Sequence, residues 1–236
     1  MAKNKLKKFA EINSFSNVIQ PPAYYSISRF SYRGNWKGEF FLNKNPLVLE
    51  IGCGKGEYTV GMARAMPGYN FIGIDIKGDR LWKGAREALD EGLYNVGFLR
   101  VKAEALNSFF GENEVQGIWL TFPDPHLRNS RSGKRLTSPR FLEKYSSLLS
   151  PGAPIHLKTD NPSLYSYTLD VIRENGHRLL VQTDNLYHDS GIREPLVREI
   201  QTYYEEKFLA ENKPICYLKF SLNTPQSIAR DATYPK

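Results

Sequence analysis

Leu47-Val48-Leu49-Glu50-Ile51-Gly52-Cys53-Gly54-Lys55-Gly56 is an apolar run that carries one carboxylate near its end and breaks into alternating glycines. The run reads as a buried strand. Glycine tolerates positive φ and presents bare peptide groups, so the loop after the strand can turn sharply and let a ligand approach the backbone closely. A dinucleotide fingerprint would be G-x-G-x-x-G, with a pyrophosphate held at the following helix N-terminus. Here the spacing is G-x-G-x-G, across Gly52, Gly54 and Gly56. Glu50 at the strand end would repel a pyrophosphate and suit a ligand that carries positive charge. S-adenosylmethionine, with its sulfonium and α-ammonium, is one such ligand, and a purely structural turn is the competing reading of so short a loop.

The next segment strengthens the first reading. A helix predicted over 57–66 leads to Tyr69-Asn70-Phe71-Ile72-Gly73-Ile74-Asp75, a second apolar run that ends in an acid. Asp75 lies 25 residues beyond Glu50, near the offset of about 20 residues at which a second-strand carboxylate meets ribose hydroxyls in nucleotide-binding folds. Its alternative role is to cap the helix predicted over 78–91. Further strands are expected over 96–102, 115–121, 154–159, 177–183 and 215–221, with helices over 137–149, 162–175 and 202–212. Regular β-α alternation argues for a doubly wound, Rossmann-like α/β sheet whose ligands sit beyond the strand C-terminal ends. Glu104, after the third strand, either accepts from an adenine amino group or caps a short helix.

At 236 residues, with 41% hydrophobic and 13% aromatic content, the chain can bury a full core. The net charge of +7 and a pI near 9.3 point to a polyanionic partner. Cys53 and Cys216 provide neither metal-ligand spacing nor a disulfide framework, so a reducing cytoplasmic setting is expected, with Cys53 a small filler between glycines. No apolar window approaches the ~20 residues of a membrane span, and the first residues lack the apolar stretch of a secretory leader. Residues 1–12 carry four lysines among the first eight and read as a basic, disordered tail, residues 13–224 as one domain, and 225–236 as a second tail.

The most specific stretch is Trp119-Leu120-Thr121-Phe122-Pro123-Asp124-Pro125-His126-Leu127-Arg128. Prolines on both sides of Asp124 fix φ and remove two backbone donors, so a stiff turn presents that acid at the ligand edge of the sheet. Arg128, Arg131, Lys134, Arg135 and Arg140 follow with no acidic residue among them. Such a run is either a solvated loop or, starting at the ligand crevice, a grip on a phosphate backbone. RNA is favoured, with Arg131, Lys134 and Arg135 as candidate backbone contacts. The four histidines share no ligand spacing, and His156, in an apolar strand, reads as a core residue.

Taken together, Glu50 to Gly56, Phe122-Pro-Asp-Pro125 with its basic loop, Lys158-Thr-Asp-Asn161 and Thr202-Tyr-Tyr-Glu205 resemble the bacterial tRNA (guanine-N7-)-methyltransferases, over about residues 9–220. The resemblance implies the mostly parallel, seven-stranded sheet of class I S-adenosylmethionine-dependent methyltransferases, and methylation of a tRNA guanosine at N7, in the variable loop. It implies S-adenosylmethionine contacts at Glu50, Gly52, Gly54, Gly56, Asp75, Glu104 and Asp124, with Asp124 also the catalytic position. It implies substrate contacts at Arg128, Asp160, Thr202 and Glu205, either Asp160 or Glu205 reading the guanine edge. No metal or membrane is implied, and monomer and homodimer stay open.

Two departures stand out. His126 and Arg128 replace the family's usual tryptophan and lysine, which keeps the charge but changes its shape. Thr-Tyr-Tyr-Glu replaces Thr-Lys-Phe-Glu. An NAD-dependent oxidoreductase would need the missing dinucleotide spacing. A noncatalytic RNA-binding protein would have no use for acids at three strand ends. A methyltransferase of another substrate is opposed by the Thr-Asp-Asn and Thr-x-x-Glu pairings.

Overall fold

A computed structural model describes residues 2–24 and 29–223. The expected C-terminal tail, 225–236, lies outside the described residues. The chain forms two compact units, one running to Gly111 and including Glu194–Tyr203, the other made of Glu112–Arg193 and the chain from Tyr204.

The first unit opens with helix α1 (Ala2–Ile12) and strand β1 (Val18–Ile19). It continues with β2 (Leu47–Ile51), α2 (Glu57–Ala65), β3 (Asn70–Ile74), α3 (Gly78–Asp90) and β4 (Val96–Leu99). These strands lie in the order β1-β4-β3-β2, and every pairing is parallel. All five residues of β2 and all five of β3 are buried, as parallel strands covered on both faces require. That is why their sequences are nearly unbroken apolar runs. The registers bring Ile51 opposite Ile74, so β2 and β3 end together and their C-terminal loops share one edge.

Residues 2–12, read as a tail from their lysines, are the helix α1. Ile12 is buried, the Glu11 carboxylate accepts from Trp82 Nε1 at 3.0 Å and pairs with Arg86, and Lys8 Nζ lies 4.6 Å from the Trp82 ring centre. Composition pointed to solvent, but Lys8 and Glu11 make contacts that dock the helix on α3.

The second unit contains β5 (Gly117–Thr121), α4 (Pro139–Leu148), β6 (Pro154–Thr159), α5 (Pro162–Glu174), β7 (Arg178–Thr183), α7 (Tyr203–Ala210) and β8 (Cys216–Ser221). The short α6 (Leu196–Glu199) belongs to the first. Here the order is β5-β6-β8-β7, with β5 parallel to β6 and β8 antiparallel to both neighbours. Among the described residues there are eight strands where seven were expected. The additional one is β1, whose two residues pair with Phe98 and Leu99 at an edge and are too few to show a periodic signal.

His156 is the core residue expected. Its ring stacks on Trp119 with centres 3.9 Å apart, and its Nδ1 lies 2.8 Å from the Tyr217 hydroxyl. Burial first, and the Lys219 charge second, push its pKa down to about 3. No helix among the described residues is long and apolar enough to cross a membrane.

Candidate active site

In the first unit the site grows from the end of β2. Gly52, Gly54 and Gly56 all take left-handed φ, at 80°, 57° and 74°, a conformation that a Cβ makes costly. At Gly56 the space is closed as well. A Cβ there would sit 2.6 Å from the Phe98 ring, while one on Gly84 of α3 would sit 2.6 Å from the Lys55 carbonyl oxygen. These two glycines let the loop press against α3. Around Gly54, by contrast, a Cβ would meet nothing within 4 Å, which leaves the loop tip open to a ligand.

Carboxylates surround this loop. Glu50 is almost fully buried and accepts a short bond from the Thr59 hydroxyl. Asp75 follows β3 directly. Its Oδ2 accepts from the Gly54 amide at 3.1 Å and its Oδ1 from the Lys77 amide at 2.8 Å. It therefore ties the glycine loop to the approach of α3, whose N-cap is Lys77. Glu57, in the first turn of α2, accepts from Lys83 Nζ at 3.1 Å and from the Tyr203 amide at 3.0 Å. Burial, then Glu50 and Asp75, raise the Cys53 thiol well above its usual range, so it stays neutral. Three acids around the loop and the helix start disfavour a pyrophosphate and fit a ligand with positive charge and ribose hydroxyls. The residues present thus fit S-adenosylmethionine. Glu104 is exposed in the first turn of the 3-10 helix Ala103–Ser108. Thr202 is buried.

In the second unit, Asp124 occupies the turn after β5. Phe122 and His126 on either side adopt left-handed φ of 48° and 42°, each costing about 1–2 kcal/mol for a non-glycine residue. Pro123 disfavours the right-handed helical region at Phe122, and the Phe122 amide is tied to the Lys158 carbonyl at 2.8 Å. Asp124 Oδ1 accepts from the His126 amide at 3.0 Å, and the His126 ring nitrogen lies 3.6 Å away. The acid itself is 72% exposed.

The basic run divides in two. Arg128, Arg131, Lys134 and Arg140 are exposed. Arg135 turns inward. It is buried, its Nε donates to the Pro125 carbonyl at 3.0 Å and an Nη to the His126 carbonyl at 3.2 Å, and its guanidinium lies 4.2 Å from the Tyr167 ring centre. Five cations in a row give no periodic cue to which one turns inward.

Glu205 also turns inward. It is completely buried, with its two oxygens 2.7 and 2.8 Å from Lys158 Nζ, and it accepts from the Tyr187 hydroxyl at 2.9 Å. So enclosed, it does not present a free edge to a base. The sequence held a cue to this in Lys158, which lies within the apolar strand Pro154-Ile-His-Leu-Lys-Thr, where an ammonium needs a buried counter-ion. Asp160 is half-buried just beyond the same strand. Burial raises its pKa, opposed by its own amide and then by Lys213, with Glu211 adding the smallest, upward, contribution. The cap of α5 is the next residue, Asn161, whose Oδ1 accepts from the Leu164 amide at 2.8 Å.

A family model for methyltransferases, Methyltransf_4, matches residues 44–218. A tRNA (guanine-N(7)-)-methyltransferase of Porphyromonas gingivalis is 47% identical over 223 residues, which are 93% of this chain and 90% of that protein. One of Christiangramia forsetii is 45% identical over 222 residues, covering 94% and 99%. Among solved structures, the 16S rRNA methyltransferase KamB aligns with a TM-score of 0.61 at 18% identity, covering 85% of this chain and 99% of that one. An antibiotic-related methyltransferase aligns at 0.59 and 17%, covering 85% and 98%. These two structures share the α/β methyltransferase fold.

Proposed function

The chain belongs to the tRNA (guanine-N(7)-)-methyltransferase family, and on that premise we propose that it is an S-adenosylmethionine-dependent enzyme that methylates a tRNA guanosine, in the variable loop, at N7. When bound, the cofactor supplies an electrophilic methyl on a sulfonium. Glu50, Asp75, Glu104 and the three left-handed glycines are the residues assigned to hold it, and the acids favour its positive charge. The observation that carries the reading is Asp124, an exposed carboxylate fixed in a proline-flanked turn.

Guanine N7 bears an in-plane lone pair outside the aromatic sextet and needs no deprotonation before it reacts. A strong general base is therefore unnecessary. What the chain must supply is alignment, exclusion of water and a negative charge near the base as it becomes cationic. Asp124 has that last role. Asp160 is the better candidate for accepting from guanine N1–H and the exocyclic amine, an edge where adenine offers an acceptor instead. Arg128, Arg131 and Lys134 suit the RNA backbone, and Thr202 keeps its family position. A tRNA substrate makes the proposed reaction a cytoplasmic one.

Two tests address this. Labelled S-adenosylmethionine is incubated with the protein and either a tRNA transcript or the same transcript with 7-deazaguanosine in place of guanosine. Label is expected in the first alone; equal labelling of both would move the reaction away from N7, and label in neither, with the cofactor bound, would exclude tRNA under those conditions. Asp160→Asn replaces an acceptor oxygen with a donor, so its kcat/KM for tRNA should fall about 10- to 100-fold while cofactor affinity holds. Unchanged kcat/KM with unchanged guanine preference would remove Asp160 from base recognition.

A further inference from the structure

The inward turn of Arg135 gives it a job that its place in a basic loop conceals. The guanidinium is planar and offers its donors in a fixed fork. Here two of them meet consecutive carbonyls, Pro125 and His126. His126 is the left-handed residue that closes the Asp124 turn, and its amide is the donor on Asp124 Oδ1. A rigid line of contacts thus runs from the Arg135 fork, through the carbonyls of residues 125 and 126, to the carboxylate two residues earlier. The far side of the fork is fixed by the Tyr167 ring on α5. Beside it the Thr137 and Thr168 hydroxyls, 2.8 Å apart, tie the end of the basic loop to that helix as well.

Two features show that the arrangement is built to hold the turn. Left-handed conformations at Phe122 and His126 are unfavourable and persist only when their surroundings over-determine them. A guanidinium buried this deeply needs its donors satisfied, and the turn carbonyls provide acceptors. Lysine in the same place would offer a point charge on a flexible stem and could not reproduce the fork. Phosphate binding, in turn, would require the group to be exposed, as Arg128 and Arg131 are.

We infer that Arg135, braced by Tyr167, is a positioning residue for methyl transfer: it sets the strained turn that aims Asp124, and it takes no part in gripping RNA. This rests on the proposed methylation of tRNA. The test compares the full-length protein with Arg135→Gln, Arg135→Lys, Tyr167→Phe and Arg131→Gln. Arg135→Gln is expected to lower kcat about 10- to 100-fold, with KM for tRNA and affinity for S-adenosylmethionine each within about twofold of wild type. Arg135→Lys should recover only part of that, and Tyr167→Phe, which keeps the ring but removes the hydroxyl that interacts with Arg135, should lower kcat less than Arg135→Gln does.

Salt separates the two roles for a cation. The slope of log affinity for tRNA against log salt should be unchanged in Arg135→Gln and should fall by nearly one unit in Arg131→Gln if that side chain grips a phosphate. Amide exchange in a peptide over 122–128 should accelerate in Arg135→Gln with or without tRNA present. A lower salt slope with normal kcat in Arg135→Gln would overturn the inference in favour of an RNA contact. Unchanged exchange with unchanged kcat would overturn it too, and so would loss of cofactor affinity together with a global fall in Tm, which marks a general role in the fold. Failure of the wild-type protein to methylate tRNA would instead count against the functional reading, since the exchange result stands without it.

Discussion

Asp124→Asn is expected to lower kcat for tRNA methylation about 10²- to 10³-fold, the scale of losing one preorganised group that stabilises charge in the transition state. That corresponds to about 3–4 kcal/mol on the barrier. Asparagine suits this test because it separates charge from shape. Its side-chain oxygen can still accept from the His126 amide, as the Asp124 carboxylate does at 3.0 Å, and the prolines on either side are untouched. Only the negative charge goes, and with it the attraction for a guanine ring that becomes cationic as N7 is alkylated. Asp124→Ala removes the acceptor too, so any further loss beyond asparagine measures how much the turn itself depends on that bond. Single-turnover rates at saturating tRNA and S-adenosylmethionine, beside Tm for each variant, would decide it. An asparagine variant with wild-type kcat and a raised KM would make Asp124 a binding group and would leave the chemistry to alignment alone.

How far this site can be read from the residues depends on whether the signal is local. The strand, glycine loop and Asp75 are legible because each is a short-range pattern: a buried run, φ values that only glycine tolerates cheaply, and an acid at the next strand's end. The structure adds what the pattern implies but cannot state, namely that Asp75 accepts from the Gly54 amide. Phe122-Pro-Asp-Pro125 announced a stiff turn, yet neither left-handed neighbour is glycine, and the strain they carry is a product of tertiary contacts. Arg131 and Arg135 are the same residue four positions apart in a loop without periodicity. Tertiary contacts distinguish them, the Pro125 and His126 carbonyls and the Tyr167 ring from α5 all meeting Arg135. Helix α1 was hidden in a similar way, because four lysines dominate its composition while Glu11 and Ile12 provide its contacts.

Removing Glu205 alone should destabilise the protein by about 3–5 kcal/mol, because it leaves the Lys158 ammonium buried without its counter-charge. At about 2–4 °C per kcal/mol for a chain of this size, Tm should fall by roughly 10 °C. Both side chains are wholly buried, both carboxylate oxygens face Lys158 Nζ, and the Tyr187 hydroxyl adds a third contact. Glu205→Leu is the single variant to make. The informative partner is the combination Lys158→Met, Glu205→Leu and Tyr187→Phe, which removes the ion pair and the hydroxyl that leans on it. Replacing a buried pair with apolar groups of similar volume is often neutral or stabilising, so the combination should recover most of the lost Tm. Methylation then decides what Glu205 is for. Phe122 lies beside the pair, its ring 5.9 Å from Phe208 and 6.0 Å from Lys158 Nζ, so an apolar replacement that packs well preserves the support beneath the Asp124 turn. Recovery of both Tm and most of kcat would make Glu205 an architectural residue and leave guanine recognition to Asp160. Recovery of Tm with activity still absent would return Glu205 to the substrate, and would require the buried pair to open when RNA binds.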